Sequence, residues 1–162
     1  MTKANKGKIF EDVIKKSFEK AQGVSIDRLR DAPKKMKNVD NPSDFIVYKY
    51  PHEIYVECKS HKGNTLPFSC IREEQLDGMF RKNVIDGVMA GIIVWYIDHD
   101  KTFWIPIVEV YNIRNIGAKS INIKDLTERN SIVIRGRKKR VYFDYDMEDF
   151  LKRLYEWRLY GC

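Results

Sequence analysis

Apolar residues at helical spacing open the chain. Ile9, Phe10, Val13, Ile14, Phe18 and Ala21 form one stripe over Lys6 to Gln22, and Gly23 follows as a natural stop. The pattern then breaks down. Val24 to Asn41 holds Pro33, Lys34, Lys35, Lys37 and Asn38-Val39-Asp40-Asn41-Pro42, which predicts a basic connection with room for one helical turn. Asp44 to Tyr50 and Glu53 to Lys59 predict two antiparallel strands around a turn at Tyr50-Pro51-His52. His61 to Asn64 reads as a loop. Ser69 is the expected cap of a second helix, with Glu73 and Glu74 in its first turns, where negative charge suits the helix dipole. That helix should run to about Val84 or Asp86 and end at Gly87. Val88 to Ile97 is continuously apolar and predicts a buried central strand, with Thr102 to Pro106 as its hairpin partner. Ile107 to Ile113 predicts a short helix. Ser131 to Arg135 and Arg140 to Tyr145 predict a hairpin with a basic tip, and Glu148 to Tyr160 an amphipathic closing helix. This alternation predicts an α/β fold, a mixed β-sheet flanked by helices. With no internal repeat, low-complexity tract or dividing linker, residues 1–162 are expected to form one domain.

Composition narrows the class. At 162 residues and 43% hydrophobic content the chain can bury a core without staples. Three cysteines (Cys58, Cys70, Cys162) and no apolar signal core near Met1 fit reduced thiols in a cytoplasmic setting. The longest apolar run is half of the roughly 20 residues that a membrane span needs, so no membrane partner is expected. The net charge of +7 suits a polyanion. Three basic segments could grip DNA: Lys3, Lys6 and Lys8; Lys34, Lys35 and Lys37; and Arg135, Arg137, Lys138, Lys139 and Arg140 around Gly136. Lys62 is a further candidate. These suit phosphate contacts rather than base reading, because nothing beside them looks like a recognition helix.

The candidate chemistry lies on the predicted strand Ile54-Tyr55-Val56-Glu57-Cys58-Lys59. Strand periodicity puts Ile54, Val56 and Cys58 on one face and Tyr55, Glu57 and Lys59 on the other. Asp44 opens the preceding strand, so an antiparallel pairing brings it to the Glu57 and Lys59 end. Two carboxylates beside a lysine can hold a Mg²⁺ ion next to a phosphate, with Mn²⁺ as a substitute, and so cleave nucleic acid. Lys59 would orient the attacking water or stabilise developing negative charge. Gln75 falls between Ile71 and Met79 in the apolar stripe of its helix, so it is either a satisfied core amide or a carbonyl aimed at the metal. Glu11, at the border of the first stripe, is either a helix-surface charge or an acid that approaches the site from beneath. Zinc is disfavoured: Cys58 and His61 have suitable spacing, but Cys58 should face the core and no second tight pair exists.

With these residues laid out, the chain resembles the PD-(D/E)xK nuclease superfamily and, within it, the RecU-type Holliday junction resolvases, including small phage-encoded relatives. Asn5-Lys6-Gly7 with Phe10-Glu11-Asp12 is similar to the family's opening, and Ser43-Asp44-Phe45 fits its first catalytic acid. Val56-Glu57-Cys58-Lys59 fits the acid-x-lysine motif, Leu66-Pro67-Phe68 a Phe-Pro-Leu segment, and Glu74-Gln75-Leu76-Asp77-Gly78-Met79 a His-Gln-Ile-x-x-Met helix. The resemblance implies a restriction-endonuclease-like fold, with Asp44, Glu57 and Gln75 holding Mg²⁺ and Lys59 stabilising the transition state. It also implies in-line hydrolysis of four-way DNA junctions to a 5′-phosphate and a 3′-hydroxyl. The family uses a threonine two positions before the first acid; here that position is Pro42. No equivalent of the longer stalk of cellular members is evident beyond Val24 to Asn41. Two symmetric nicks call for a C2 homodimer. Candidate interfaces are the Ile107-Val108 and Val110-Tyr111 pairs and the aromatic C-terminal helix. The compact length leans toward a phage protein acting in its bacterial host's cytoplasm. The alternatives are a superfamily repair or restriction nuclease acting on ordinary duplex, and a non-catalytic DNA-binding module.

Overall fold

The computed structural model describes residues 3–29 and 41–160, with side chains from residue 6 onward. The candidate DNA contacts Lys34, Lys35 and Lys37 lie outside the described residues.

The first helix, α1 (Lys3–Glu19), turns Phe10, Ile14 and Phe18 inward at four-residue intervals. A short strand, β1 (Ser25–Arg28), follows, and it corrects the reading of this stretch as connection only. Four residues with one half-buried position carry too little period-two signal to stand out. Next come β2 (Phe45–Lys49) and β3 (His52–His61), joined through a cis Tyr50-Pro51 peptide, then β4 (Thr65–Pro67). The second helix, α2, spans Glu73–Asn83.

Ser69 does not cap α2. Phe68–Cys70 form a single 3₁₀ turn, Ile71 returns to extended backbone, and Arg72 is the N-cap. Ile71 is 5% exposed, and burying it keeps the chain extended for two residues past the expected start.

Strand β5 (Val88–Tyr96), strand β6 (Lys101–Pro106) and helix α3 (Ile107–Asn115) match expectation. The chain continues through β7 (Ser120–Asn122), β8 (Ile132–Val133), β9 (Gly136–Lys138), β10 (Phe143–Tyr145) and helix α4 (Met147–Tyr160). The late hairpin is therefore smaller than expected. β8 pairs with β6 at the sheet edge because Ile132 and Ile134 bury there, and only β9 pairs with β10.

The main sheet has the order β1-β2-β3-β5-β6-β8. β3 and β5 are parallel, and every other pairing is antiparallel. Buried on both faces, β5 shows the continuous apolar run of a central strand. Helices α1 and α4 cover one face through Phe10, Ile14, Phe150 and Leu154, packed on Val56, Cys58 and Ile93. Helices α2 and α3 cover the other through Leu76, Met79, Ile107 and Val110, packed on Tyr55, Ile92 and Ile105. Ile107 and Val110 are fully buried in this layer, so they serve the core and not a dimer surface. At Gly91, in the middle of β5, an added Cβ would sit 2.6 Å from both the Ile105 carbonyl oxygen and the Trp104 ring. Only hydrogen fits there.

Candidate active site

Strand alternation is observed as expected: Ile54, Val56 and Cys58 face α1, while Tyr55 faces α2. Glu57 shares the Tyr55 side of the strand, under α2, and is 1% exposed. The β2–β3 register pairs Phe45 with Val56, which sets Asp44 just beyond the ladder beside Glu57 and Cys58. The Cys58 N–H donates to Asp44 Oδ2 at 2.8 Å. Lys59 Nζ donates to Glu57 Oε1 at 2.5 Å. The Gln75 side chain lies against the same carboxyl, and its own Oε1 accepts weakly from the Arg72 N–H at 3.4 Å. Glu57 Oε2 is buried with no partner in hydrogen-bonding geometry.

The electrostatics express this crowding. Burial pushes Asp44 up from its ordinary 3.8 to about 7, the Glu57 charge adds to the rise, and the Cys58 N–H opposes it. Burial also raises Glu57, against the favourable pull of Lys59, Gln75 and Arg72. Burial works against the Lys59 charge, but Glu57 and Asp44 outweigh it and hold the ammonium above its usual range. Groups perturbed by burial and by one another, gathered at one strand end, mark this as the candidate site.

Glu11 and Gln75 both approach the pair. Glu11 Oε2 is bonded to Arg28 Nη1 at 2.5 Å, and Glu11 reaches Asp44 only through space. Arg28 belongs to the unexpected strand β1 and also stacks over the Phe45 ring at 4.8 Å. Neither Arg28 nor Arg72 stands out in the sequence. Arg72 could have been noticed as the basic residue three positions before Gln75; Arg28 gave no signal.

Asp44 and Glu57 are hard oxygen donors, and an orphaned buried carboxylate oxygen is the kind of atom that a hard divalent cation satisfies. The donor set therefore fits Mg²⁺ or Mn²⁺. Among the described residues no group of three His, Cys, Asp or Glu side chains converges, so further donors would be the Gln75 carbonyl, water or a phosphate oxygen.

The basic hairpin is less free than its composition suggests. Lys138 pairs with Asp100, Lys139 with Asp144 at 3.8 Å, and Arg135 with Asp149 at 3.7 Å. Arg137 and Arg140 make no ion pair among the described residues. The α1 end that carries Lys6 and Lys8 lies close to this hairpin: Phe10 packs on Trp95 at 5.7 Å, and Trp95 on Tyr142 at 5.5 Å. In the β3–β5 register Lys59 pairs with Val94, whose side chain packs in the α2/α3 layer, whereas Trp95 packs with Phe10 and Tyr142 on the opposite face of the sheet. Lys62 is exposed in the loop directly after β3.

A mixed sheet between helices, with an acid before one strand and acid-x-lysine on the next, is the arrangement that the resemblance to PD-(D/E)xK nucleases implies. The sequence model of the family RecU, Recombination protein U, matches residues 13–145. The chain belongs to the RecU family and is accordingly an endonuclease of Holliday junction resolvase type. Among solved structures it is similar to Hjc of Archaeoglobus fulgidus, a Holliday junction resolvase from an archaeal hyperthermophile. The TM-score is 0.50 at 16% identity, covering 64% of this chain and 78% of Hjc, a likeness of fold. No curated protein matches the chain significantly.

Proposed function

We propose that this chain is a Mg²⁺-dependent endonuclease that resolves four-way DNA junctions by paired symmetric nicks, acting as a homodimer. The observation that carries the reading is the buried Glu57 carboxylate, with Oε2 unpartnered, held beside Asp44 and Lys59. Asp44 and Glu57 would hold the ion. Gln75 can contribute its carbonyl while still accepting the Arg72 N–H, because a carbonyl oxygen has two lone pairs. When bound, the ion would supply a water of lowered pKa and positive charge against the scissile phosphate.

The chain's own residues do the rest. The Cys58 N–H fixes one Asp44 oxygen, and the other would be available to the ion. Lys59, about one-fifth exposed, is anchored by Glu57 and presents its remaining N–H groups to the phosphate or the attacking water. Glu11 adds negative potential behind Asp44, which strengthens cation binding. Lys6, Lys8, Lys62, Arg137 and Arg140 would grip backbone phosphates, with Lys34, Lys35 and Lys37 as further candidates. Two nicks placed symmetrically require two such sites related by a two-fold axis. Val108, Leu159 and Tyr160 are exposed apolar positions that a second copy could cover.

The test is cleavage of labelled four-way, forked and linear DNA side by side, with and without Mg²⁺, by wild type and Glu57→Ala. Symmetric cuts in the four-way DNA only with Mg²⁺, lost in Glu57→Ala, are the expected result. Equal cutting of linear duplex would move the substrate to ordinary DNA. Junction binding without any cleavage in Mg²⁺ or Mn²⁺ would leave a binding module.

A further inference from the structure

We propose that the contact between Pro42 and Gly78 is a positioning device: it sets how closely the segment carrying Asp44 approaches the helix carrying Gln75. The inference rests on the function proposed above and concerns the spacing of its metal donors.

Gly78 lies in the middle of α2, where glycine is unfavourable for a helix. An ideal Cβ on Gly78 would meet Pro42 Cβ at 2.9 Å and Pro42 Cα at 3.4 Å. The first distance is well inside van der Waals contact. The proline cannot relieve it, because its ring holds φ and its Cβ does not swing. Any residue other than glycine at position 78 therefore pushes α2 and the Pro42 segment apart by about half an ångström or more.

The two partners are placed so that this displacement reaches the site. Gln75 precedes Gly78 by three residues, so both lie on one side of α2, one turn apart. Asp44 follows Pro42 by two residues. Between them Ser43 is 2% exposed, with its Oγ donating to the Phe45 carbonyl at 2.9 Å. Asp44 itself is tied to the Cys58 N–H. The segment 42–44 is thus pinned by side-chain and backbone bonds at one end and by the face of α2 at the other. Pro42 has no side-chain oxygen, so its side chain cannot ligate a cation. Its part is to bear on Gly78 and fix the gap across which Asp44 and Gln75 face Glu57.

The experiment uses the full chain and three variants: Gly78→Ala, Pro42→Gly/Gly78→Ala and Pro42→Ala/Gly78→Ala. Three quantities are read: Mn²⁺ binding without DNA by calorimetry, four-way junction binding in EDTA, and kcat in Mg²⁺. A misplacement of this size should weaken Mn²⁺ binding and kcat by about tenfold in Gly78→Ala and leave junction affinity within about twofold. Pro42→Gly removes the opposing Cβ and should restore metal binding to within about threefold of wild type, whereas Pro42→Ala keeps that Cβ and should not. Wild-type metal affinity and kcat in Gly78→Ala, or a loss that Pro42→Gly does not repair, overturns the inference. If Gly78→Ala alone does not fold, the Pro42→Gly double variant decides: near wild-type Mn²⁺ binding supports the device, and weak binding overturns it. A wild type that never cuts junctions in Mg²⁺ overturns the parent function as well, whereas a cutting wild type beside an unimpaired Gly78→Ala overturns this inference alone.

Discussion

Replacing Asp44 by asparagine should stabilise the protein at alkaline pH while removing its activity. The folded chain holds the Asp44 carboxyl near 7 against an ordinary 3.8, mainly by burial and secondly through the Glu57 charge. Between those two values the folded state binds a proton that the unfolded state has released. Stability therefore falls as pH rises from about 4 to about 7, and stays low above that. At 1.36 kcal/mol per tenfold change, the full rise corresponds to about 4 kcal/mol. Asp44→Asn keeps an oxygen for the Cys58 N–H and removes both the buried charge and its repulsion of Glu57. Its buried dipole still costs something, so the net gain at pH 8.5 should be about 1–3 kcal/mol, shrinking toward zero at pH 4. Urea unfolding of both proteins at the two pH values, without divalent metal, measures this directly. Added Mg²⁺ should then stabilise wild type at pH 8.5 and leave Asp44→Asn nearly unmoved. A variant less stable than wild type at pH 8.5, or a difference that does not depend on pH, would refute the picture of a carboxylate held charged against its environment.

Three further outcomes follow from other parts of the molecule. Gly91→Ala should cost about 1–3 kcal/mol in urea unfolding, because its Cβ meets a backbone carbonyl and an indole ring that are both fixed by the core. Arg137→Ala and Arg140→Ala should each reduce the slope of log affinity against log salt for four-way DNA by about 0.9, whereas Lys138→Ala, already paired with Asp100, should change it less. Lys59→Met should lower kcat by about a hundredfold or more with metal-free junction affinity nearly unchanged, since its ammonium is bonded to Glu57 and only partly exposed; unchanged kcat would remove Lys59 from the chemistry.

What could be read along the chain was whatever repeats locally. The four-residue stripe of Phe10, Ile14 and Phe18 marks α1, and the unbroken run from Val88 marks a strand covered on both faces. Period two separates Cys58 from Glu57 and Lys59, so the faces of β3 and the candidate acid-lysine pair are legible without coordinates. Strand β1 and the 3₁₀ turn at Phe68 were not legible, because each is too short to show a period; a strand was expected within Ser131 to Arg135, where β8 lies, but not its pairing with β6, which depends on what lies across from it. The apolar pairs of α3 show the same limit: sequence marks Ile107 and Val110 as apolar, but only the packing of α3 against β5 and β6 assigns them to the core.

The sequence by itself determined which side chains share a face, since that depends only on backbone geometry between near neighbours. Tertiary structure decided the charges and the distances. It closed the protein around Glu57 until one oxygen had no partner, lifted Asp44 by burying it and, secondly, by bringing a second acid to it, and bound Glu11 to an arginine from a strand that the sequence hid. It also matched acids to three of the five hairpin cations, Asp100 and Asp149 from outside the hairpin and Asp144 from within it, and set Pro42 against Gly78. These contacts join residues that no helix or strand period brings together, and the energy of such a contact depends on separation and burial that no local period carries.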